Sequence, residues 1–488
     1  MNEKKNNVCN FIIFGIKGDL SKRKILPSLY YLEKKNNIHD NTCIIGISRS
    51  NWDKINYINM IKKSLNIFLK EKINKKIWIK FISRFKFCNL NVYYSNNFIK
   101  LKKILNFKNR ISINYCAMPS NTIPAICKGL GKEKINKKSS FIVIEKPIGS
   151  SLKTYNYINN KILKYFNESQ IYRIDHYLGK ETIINLLAFR FSNILFLKNW
   201  SNQIIDSIQI TVSEEIGIEG RIEYFNKTGQ IKDMIQNHLL QILTIITMEV
   251  PIKLNINSIK EEKIKIINSL RRFNFNNINK NVVLGQYTNN NINGVNIPSY
   301  LEEIGLNKNS NTETFVSIRA DIDNLRWAGV PFYLRSGKRL KKKLSEIVIY
   351  FKTLPINLFN KFNKKIPQNK LIIRLQPNEG IEIKILNKLI GLNYKYELKL
   401  TKLNFNFYKK NNNEYKTDAY EFLISELMKG DKSFFVSYNE LEESWKWVDS
   451  IVNSCNIVKK KPILYKSGTW GPEESDILLK KDGRKWNK

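Results

Sequence analysis

Along the first third of the chain, short apolar runs alternate with stretches whose apolar positions recur every three or four residues. "VCNFIIFG" (Val8–Gly15) is apolar and closes on a glycine, and "SKRKILPSLYYLEKK" after it has helical spacing. "TCIIGISRS" (Thr42–Ser50), "ISINYCAMPS" (Ile111–Ser120) and "SFIVIEKPIG" (Ser140–Gly149) are further strand-like runs, the last two with proline-containing turns. Strands alternating with helices predict a parallel, doubly wound sheet, and near-continuous apolar strands fit burial on both faces.

After about Tyr177 the pattern changes. "DSIQITVSEEIGIEGR" (Asp206–Arg221) alternates as a strand does, and Met234–Val250 predicts one long helix stopped by Pro251. Thr312–Asn324, Ser345–Thr353, Asn369–Pro377, "GIEIKIL" and "YELKLTKLNF" then cluster as strands. Such clustering predicts a mainly antiparallel sheet with helices on one side. The Asn/Lys-rich segments Asn276–Lys280 and Lys409–Glu414 read as loops. The expected architecture is an α/β Rossmann-like domain over 1–177 and a larger α+β domain over 178–488. A length of 488 residues suits two or three domains.

Composition changes this picture little. The formal charge of +40 invites a nucleic-acid partner, but the excess is mostly lysine and runs from end to end. It travels with abundant Asn and Ile, which share A/T-rich codons, so coding bias is the simpler cause. A nucleic-acid binder would concentrate charge on one motif with aromatics interleaved, so no nucleic-acid partner is expected. The basic surface still favours small anionic substrates. Six cysteines without a CxxC or a metal-ligand spacing point to buried free thiols in a reducing compartment, and no metal is expected. The apolar run Phe11–Phe14 is too short for a signal peptide, and no run approaches the ~20 residues of a membrane span. A cytoplasmic protein with no membrane contact is the expectation.

Two short stretches carry chemistry. "FGIKGDLSKRK" (Phe14–Lys24) follows the first strand and opens a helix. Gly15 and Gly18 let the backbone turn tightly and approach a pyrophosphate at the helix N-terminus. Alone, this G-x-x-G is also compatible with a plain strand–helix turn. The second strand ends in "GISRS", where a fold reading NAD usually places an acid. Ser48 and Arg49 instead offer a hydroxyl and a guanidinium, which suit a 2′-phosphate and favour NADP.

"RIDHYLGKE" (Arg173–Glu181) holds one of only three histidines. If a helix begins here, His176 and Lys180 share a face of its first turn. With the helix's free N–H groups and the Tyr177 hydroxyl they would make a phosphate site, Asp175 standing in an N-cap-like position. His238 lies in "DMIQNHLLQ", and its apolar surroundings equally suit a core histidine. Asp233 is about 140° away from it at the α-helical pitch, so the two need not touch.

"GIKGDLSKRKILPSLYYL", "NYCAMP", "EKPIG", "YRIDHYLGKE", "EEIGIEGR", "DMIQNHLLQIL", "RWAGVPFYLRSGKRL", "LQPNEG", "KWVDSI" and "GTWGP" occur in order from about Asn10 to Asn487. Together they resemble the glucose-6-phosphate dehydrogenase family, most strongly its bacterial members. The resemblance implies oxidation of D-glucose 6-phosphate at C1 to 6-phospho-D-glucono-1,5-lactone with NADP, the first step of the oxidative pentose phosphate pathway. It implies a Rossmann domain joined to a domain for substrate binding and for assembly into a homodimer or homotetramer.

Roles follow from the same resemblance. His238 is the general base on the C1 hydroxyl, and neutral imidazole suits that task near pH 7. Asp175 accepts a hydrogen bond from its other ring nitrogen. His176, Tyr177 and Lys180 hold the 6-phosphate. Lys338 and Lys343 match substrate-contacting lysines, and Glu214 and Asp233 match carboxylates on the sugar hydroxyls. Lys146 matches the lysine between cofactor and sugar, and the bond to Pro147 is a candidate for the cis form. Gly15, Gly18, Asp19, Leu20, Ser48, Arg49 and Tyr115 fall on cofactor-side positions, with Lys24 near the catalytic centre.

Overall fold

The structure is a computed structural model that describes residues 6–303, 305, 309–359, 361, 366–391, 396–407 and 417–487. The expected loop Lys409–Glu414 lies outside the described residues. The chain forms two compact units. The first takes Met1–Glu181, Ile252–Lys260 and Lys416–Glu442, and the second takes Thr182–Pro251, Glu261–Tyr415 and Glu443–Lys488. A single division after residue 177 does not anticipate the two later segments that return to the first unit.

The first unit is built on six strands: β1 (Cys9–Phe14), β2 (Cys43–Ser48), β3 (Phe85–Asn89), β4 (Ile111–Cys116), β5 (Ser140–Glu145) and β6 (Ile171–Ile174). They pair in the order β3-β2-β1-β4-β5-β6, every pair parallel. All six residues of β1 are buried, as expected of a strand covered on both faces. The chain reverses direction across the sheet between β1 and β4. In an open α/β sheet, ligands bind at such a switch point, beyond the C-terminal ends of the strands. Strand β6 is hard to see in the sequence because it contains Arg173. That side chain is buried, and its charge is met by two bonds to Glu168 (2.6 and 2.9 Å) and one to Asn159 (2.7 Å).

The returning segment adds a helix, Ala419–Lys429, to this unit. Asp418 caps it by accepting from the Tyr420 N–H (2.9 Å), and Gly430 ends it at φ 73°. Its Leu423, Ile424, Leu427 and Met428 enter the same core as Leu26, Leu29 and Tyr30.

The second unit holds a nine-stranded sheet. Its strands are β7 (Ile205–Ser213), β8 (Val282–Thr288), β11 (Phe315–Ala320), β12 (Phe332–Gly337), β13 (Leu344–Phe351), β14 (Lys370–Gln376), β15 (Gly380–Lys388), β16 (Leu398–Asn406) and β17 (Ile463–Lys466). Two short strands, β9 (Asn290–Ile292) and β10 (Val295–Ile297), form a separate hairpin. The order is β16-β15-β14-β13-β7-β12-β11-β8-β17, antiparallel except for the pairs β7–β12 and β8–β17. The sheet is mostly antiparallel, as expected, and the two parallel pairs make it mixed.

The six cysteines are free thiols. Burial pushes Cys9 up to about 12 and Cys88 and Cys455 to about 11, so these are packing residues and poor nucleophiles.

Candidate active site

In the first unit the glycine turn is shaped by close backbone approach. Gly15 has φ 90°, and a Cβ there would stand 2.7 Å from the Ala117 carbonyl oxygen. Only glycine allows the loop after β1 to lie this close to the loop after β4. The Gly18 N–H and the Ser21 hydroxyl both donate to the Gly15 carbonyl (2.9 Å each), closing the turn. The helix that follows covers residues 19–34, so Asp19 and Leu20 stand at its start, and Asp19 pairs with Arg23 at 2.6 Å. The cradle and the helix start fit the pyrophosphate of a dinucleotide.

At the end of β2, the Ser48 hydroxyl accepts from the Ser50 N–H (3.2 Å), and Arg49 next to it is exposed. A second cation stands at this strand end and escaped the sequence reading. Lys17 donates to the Ser50 hydroxyl (2.9 Å) and lies 4.4 Å from the Trp52 ring centre.

Lys24 is held from the returning segment by Asp418, at 2.9 Å, with the Tyr420 ring 5.9 Å away. Tyr115 is buried on β4, and its hydroxyl donates to Glu145 (2.5 Å). Tyr420 donates to the same carboxyl. Glu145 stands directly before Lys146, whose bond to Pro147 is cis. Although the residue as a whole is half-buried, its carboxyl is enclosed. Burial pushes it up to about 7, against the lowering pull of Tyr115, Lys146 and Tyr420.

A raised carboxyl means that the folded state keeps its proton longer than the unfolded chain. Its favourable contribution is full below the ordinary value of 4.5 and is lost as pH rises through about 7. Glu145→Gln should therefore gain thermal stability relative to the parent as pH rises from about 5 to about 8. A melting-temperature difference that stays flat with pH would contradict this assignment.

The histidine motif departs from its expected form. The helix begins at Glu181, and His176–Gly179 form a tight turn ahead of it. His176 and Lys180 are therefore not on the first helical turn, and the i, i+4 argument does not apply. The reason is local hydrogen bonding. The Asp175 carboxylate accepts from the Tyr177 N–H (3.0 Å), its carbonyl accepts from Leu178 (3.0 Å), and the Tyr177 carbonyl accepts from Lys180 (3.1 Å). An Asp side chain that takes a nearby N–H diverts the backbone from the helix. A Cβ at Gly179 would stand 2.7 Å from the Ala419 carbonyl oxygen, so the turn needs glycine there. The turn still gathers the expected groups. The Lys180 ammonium is 3.8 Å from the Tyr177 ring centre, the His176 and Tyr177 rings are 5.3 Å apart, and Tyr420 stacks on His176 at 5.9 Å.

In the second unit, β7 and β12 run parallel with Ser213 opposite Gly337. The next residue on each strand is a predicted site residue, and this register delivers them side by side. Lys338 is buried and pairs with Glu214 at 2.6 Å. Lys343 is exposed just before β13.

His238 is buried in a π-helical segment, Ile231–Leu239, which continues as the α-helix Leu240–Thr247. The sequence pattern predicts one α-helix here; the widened turn departs from that. The Asn237 side chain donates back to the Lys232 carbonyl (3.0 Å) and the Asp233 carbonyl (3.4 Å), inserting into the backbone ladder. Hydrogen bonding from i to i+5 brings residues five apart into successive turns. The 140° offset of Asp233 from His238 therefore does not hold. Asp233 also accepts from the Tyr224 hydroxyl (3.2 Å).

A six-strand parallel sheet, a glycine cradle and a turn of cationic and hydroxyl groups suit a dinucleotide and an anionic small molecule. Sequence models described as "Glucose-6-phosphate dehydrogenase, NAD binding domain" and "Glucose-6-phosphate dehydrogenase, C-terminal domain" match residues 12–185 and 187–487. The chain belongs to the glucose-6-phosphate dehydrogenase family. It is 52% identical to the glucose-6-phosphate 1-dehydrogenase of Dickeya dadantii, covering 98% of each chain. It is 56% identical to that of Buchnera aphidicola subsp. Baizongia pistaciae, covering 99% of each. A solved glucose-6-phosphate dehydrogenase in complex with glucose 6-phosphate superposes with a TM-score of 0.89 at 32% identity over 100% of both chains. The Mycobacterium avium enzyme does so with 0.87 at 26% identity over 99% of both.

Proposed function

We propose that this chain oxidises D-glucose 6-phosphate at C1 to 6-phospho-D-glucono-1,5-lactone, with NADP as the acceptor. One observation carries the reading beyond the family resemblance. The turn after β6 gathers His176, Tyr177 and Lys180 at the C-terminal end of a parallel sheet, where α/β folds bind their ligands. Two cationic or ring donors and a phenol suit a phosphate dianion. Glu214, Asp233, Lys338 and Lys343 take the sugar hydroxyls and the remaining charge. The pair of buried Lys338 and half-buried Glu214 arrives pre-oriented by the strand register, which lowers the ordering cost on binding.

His238 takes the C1 hydroxyl proton, and Asp175 holds the imidazole tautomer and stabilises the imidazolium. NADP, when bound, would supply the acceptor for the hydride that leaves C1. Gly15, Gly18, Asp19 and Leu20 hold its pyrophosphate side, Ser48 and Arg49 its 2′-phosphate, and Lys24, Tyr115 and Lys146 line the remainder. Tyr115 serves through Glu145, the group its hydroxyl meets.

Arg49→Ala should weaken NADP binding about 10–100-fold, the value of one or two charge-assisted hydrogen bonds, with NAD little affected. Equal losses for both cofactors would overturn the 2′-phosphate role.

Assembly as a homodimer or homotetramer through the second unit belongs to the same reading. Its support is the β16 edge of the nine-stranded sheet, which exposes Leu403 and Phe405. Sedimentation of a plain monomer at micromolar concentration would count against it. A cytoplasmic location is likewise proposed; among the described residues no helix is long and apolar enough to cross a membrane.

A further inference from the structure

Just before the π-helical segment, Gly229 takes φ 67° and ψ 175° and breaks the helix Ile222–Gln230 near its end. A Cβ at this position would stand 2.4 Å from Glu313 Oε1 and 2.7 Å from Oε2 and Cδ. The glycine thus leaves room for one particular carboxyl. Glu313 Oε1 accepts from the Ile231 N–H (3.1 Å), and the Glu313 carbonyl accepts from Gln230 (3.0 Å). The carboxylate stands where a helix leaves its first N–H groups unmet and where the helix dipole favours negative charge.

The neighbouring residue ties this cap to the sugar-facing groups. The Thr314 carbonyl accepts from the Lys338 N–H (3.0 Å), and Lys338 pairs with Glu214. Gln230 donates to the Ser336 hydroxyl (2.8 Å), which donates to the Val212 carbonyl (2.8 Å). Two consecutive residues, Glu313 and Thr314, therefore hold the start of the π-helix against the end of β12.

We propose that Glu313 is a positioning residue for the reaction: its carboxylate caps the π-helical segment and fixes where Asp233 and His238 stand relative to Lys338 and Glu214. The inference rests on His238 being the base. Glu313 acts through the helix and is not assigned any contact with substrate.

Steady-state kinetics with glucose 6-phosphate and NADP on four variants test this. Glu313→Ala should lower kcat about 10–100-fold, the scale of an ångström of misplacement, with NADP binding unchanged. The acid limb of its kcat/KM pH profile should move, because His238 is displaced from its partner. Glu313→Gln keeps an acceptor of the same shape and should restore most of both. Gly229→Ala should resemble Glu313→Ala, and the double variant should be no slower than the slower single one, since both break the same contact. An unchanged kcat in Glu313→Ala, an unmoved acid limb, no recovery in Glu313→Gln, or losses that multiply in the double variant would each overturn the proposal. These failures leave the base assignment standing so long as His238→Asn still abolishes most turnover; loss of that effect would instead sink the underlying reading.

Discussion

His238→Asn lowers kcat by about 10²–10⁴-fold while leaving the affinity for glucose 6-phosphate nearly unchanged, the pattern of a lost general base. The substitution keeps a polar side chain at a buried site and removes the imidazole proposed to take the C1 hydroxyl proton. On the proposed roles the phosphate is held by residues of another motif, so binding should survive when proton transfer does not. A rise in KM with kcat intact would reassign His238 to uniform binding, and an unchanged enzyme would make it the buried core histidine that its apolar surroundings also suit.

Lys180→Ala has the opposite signature. It weakens glucose 6-phosphate binding about 10–100-fold, because charge-assisted hydrogen bonds to a dianion contribute about 1.5–3 kcal/mol. The Lys180 ammonium lies over the Tyr177 ring, and the turn itself is fixed by Asp175, so the loss should be local. Dissociation constants for NADP and for the sugar phosphate, measured separately, check this. An equal loss for NADP would mean that the lysine serves the cofactor or the fold.

The alternation of apolar runs with helical spacing carried most of the architecture, because a sheet covered on both faces leaves near-continuous apolar strands. It was silent on β6, whose buried arginine is neutralised by Glu168 and donates a further hydrogen bond to Asn159. It was also silent on the return of 416–442 to the first unit, since a helix with one apolar face does not state which core it joins.

The motifs carried the candidate site further than their assumed local structure did. "RIDHYLGKE" suggests a helix start and forms a turn, because one Asp175 carboxylate oxygen takes the Tyr177 N–H. The signal was present: an Asp two residues before the N–H it takes, and a glycine at 179. The π-helical turn beneath His238 has a weaker signal, an asparagine at 237 that bonds back to two carbonyls. Glu145, Lys17 and Glu313 were invisible as functional candidates, because their partners come from strands and loops distant in sequence.

Hydride transfer from C1 can be followed with glucose 6-phosphate carrying deuterium at C1, incubated with the protein and NADP. One deuterium per turnover should appear on the reduced nicotinamide and none in the solvent, with no comparable turnover of unphosphorylated glucose. Deuterium released to water, or equal turnover of glucose, would contradict the proposed reaction.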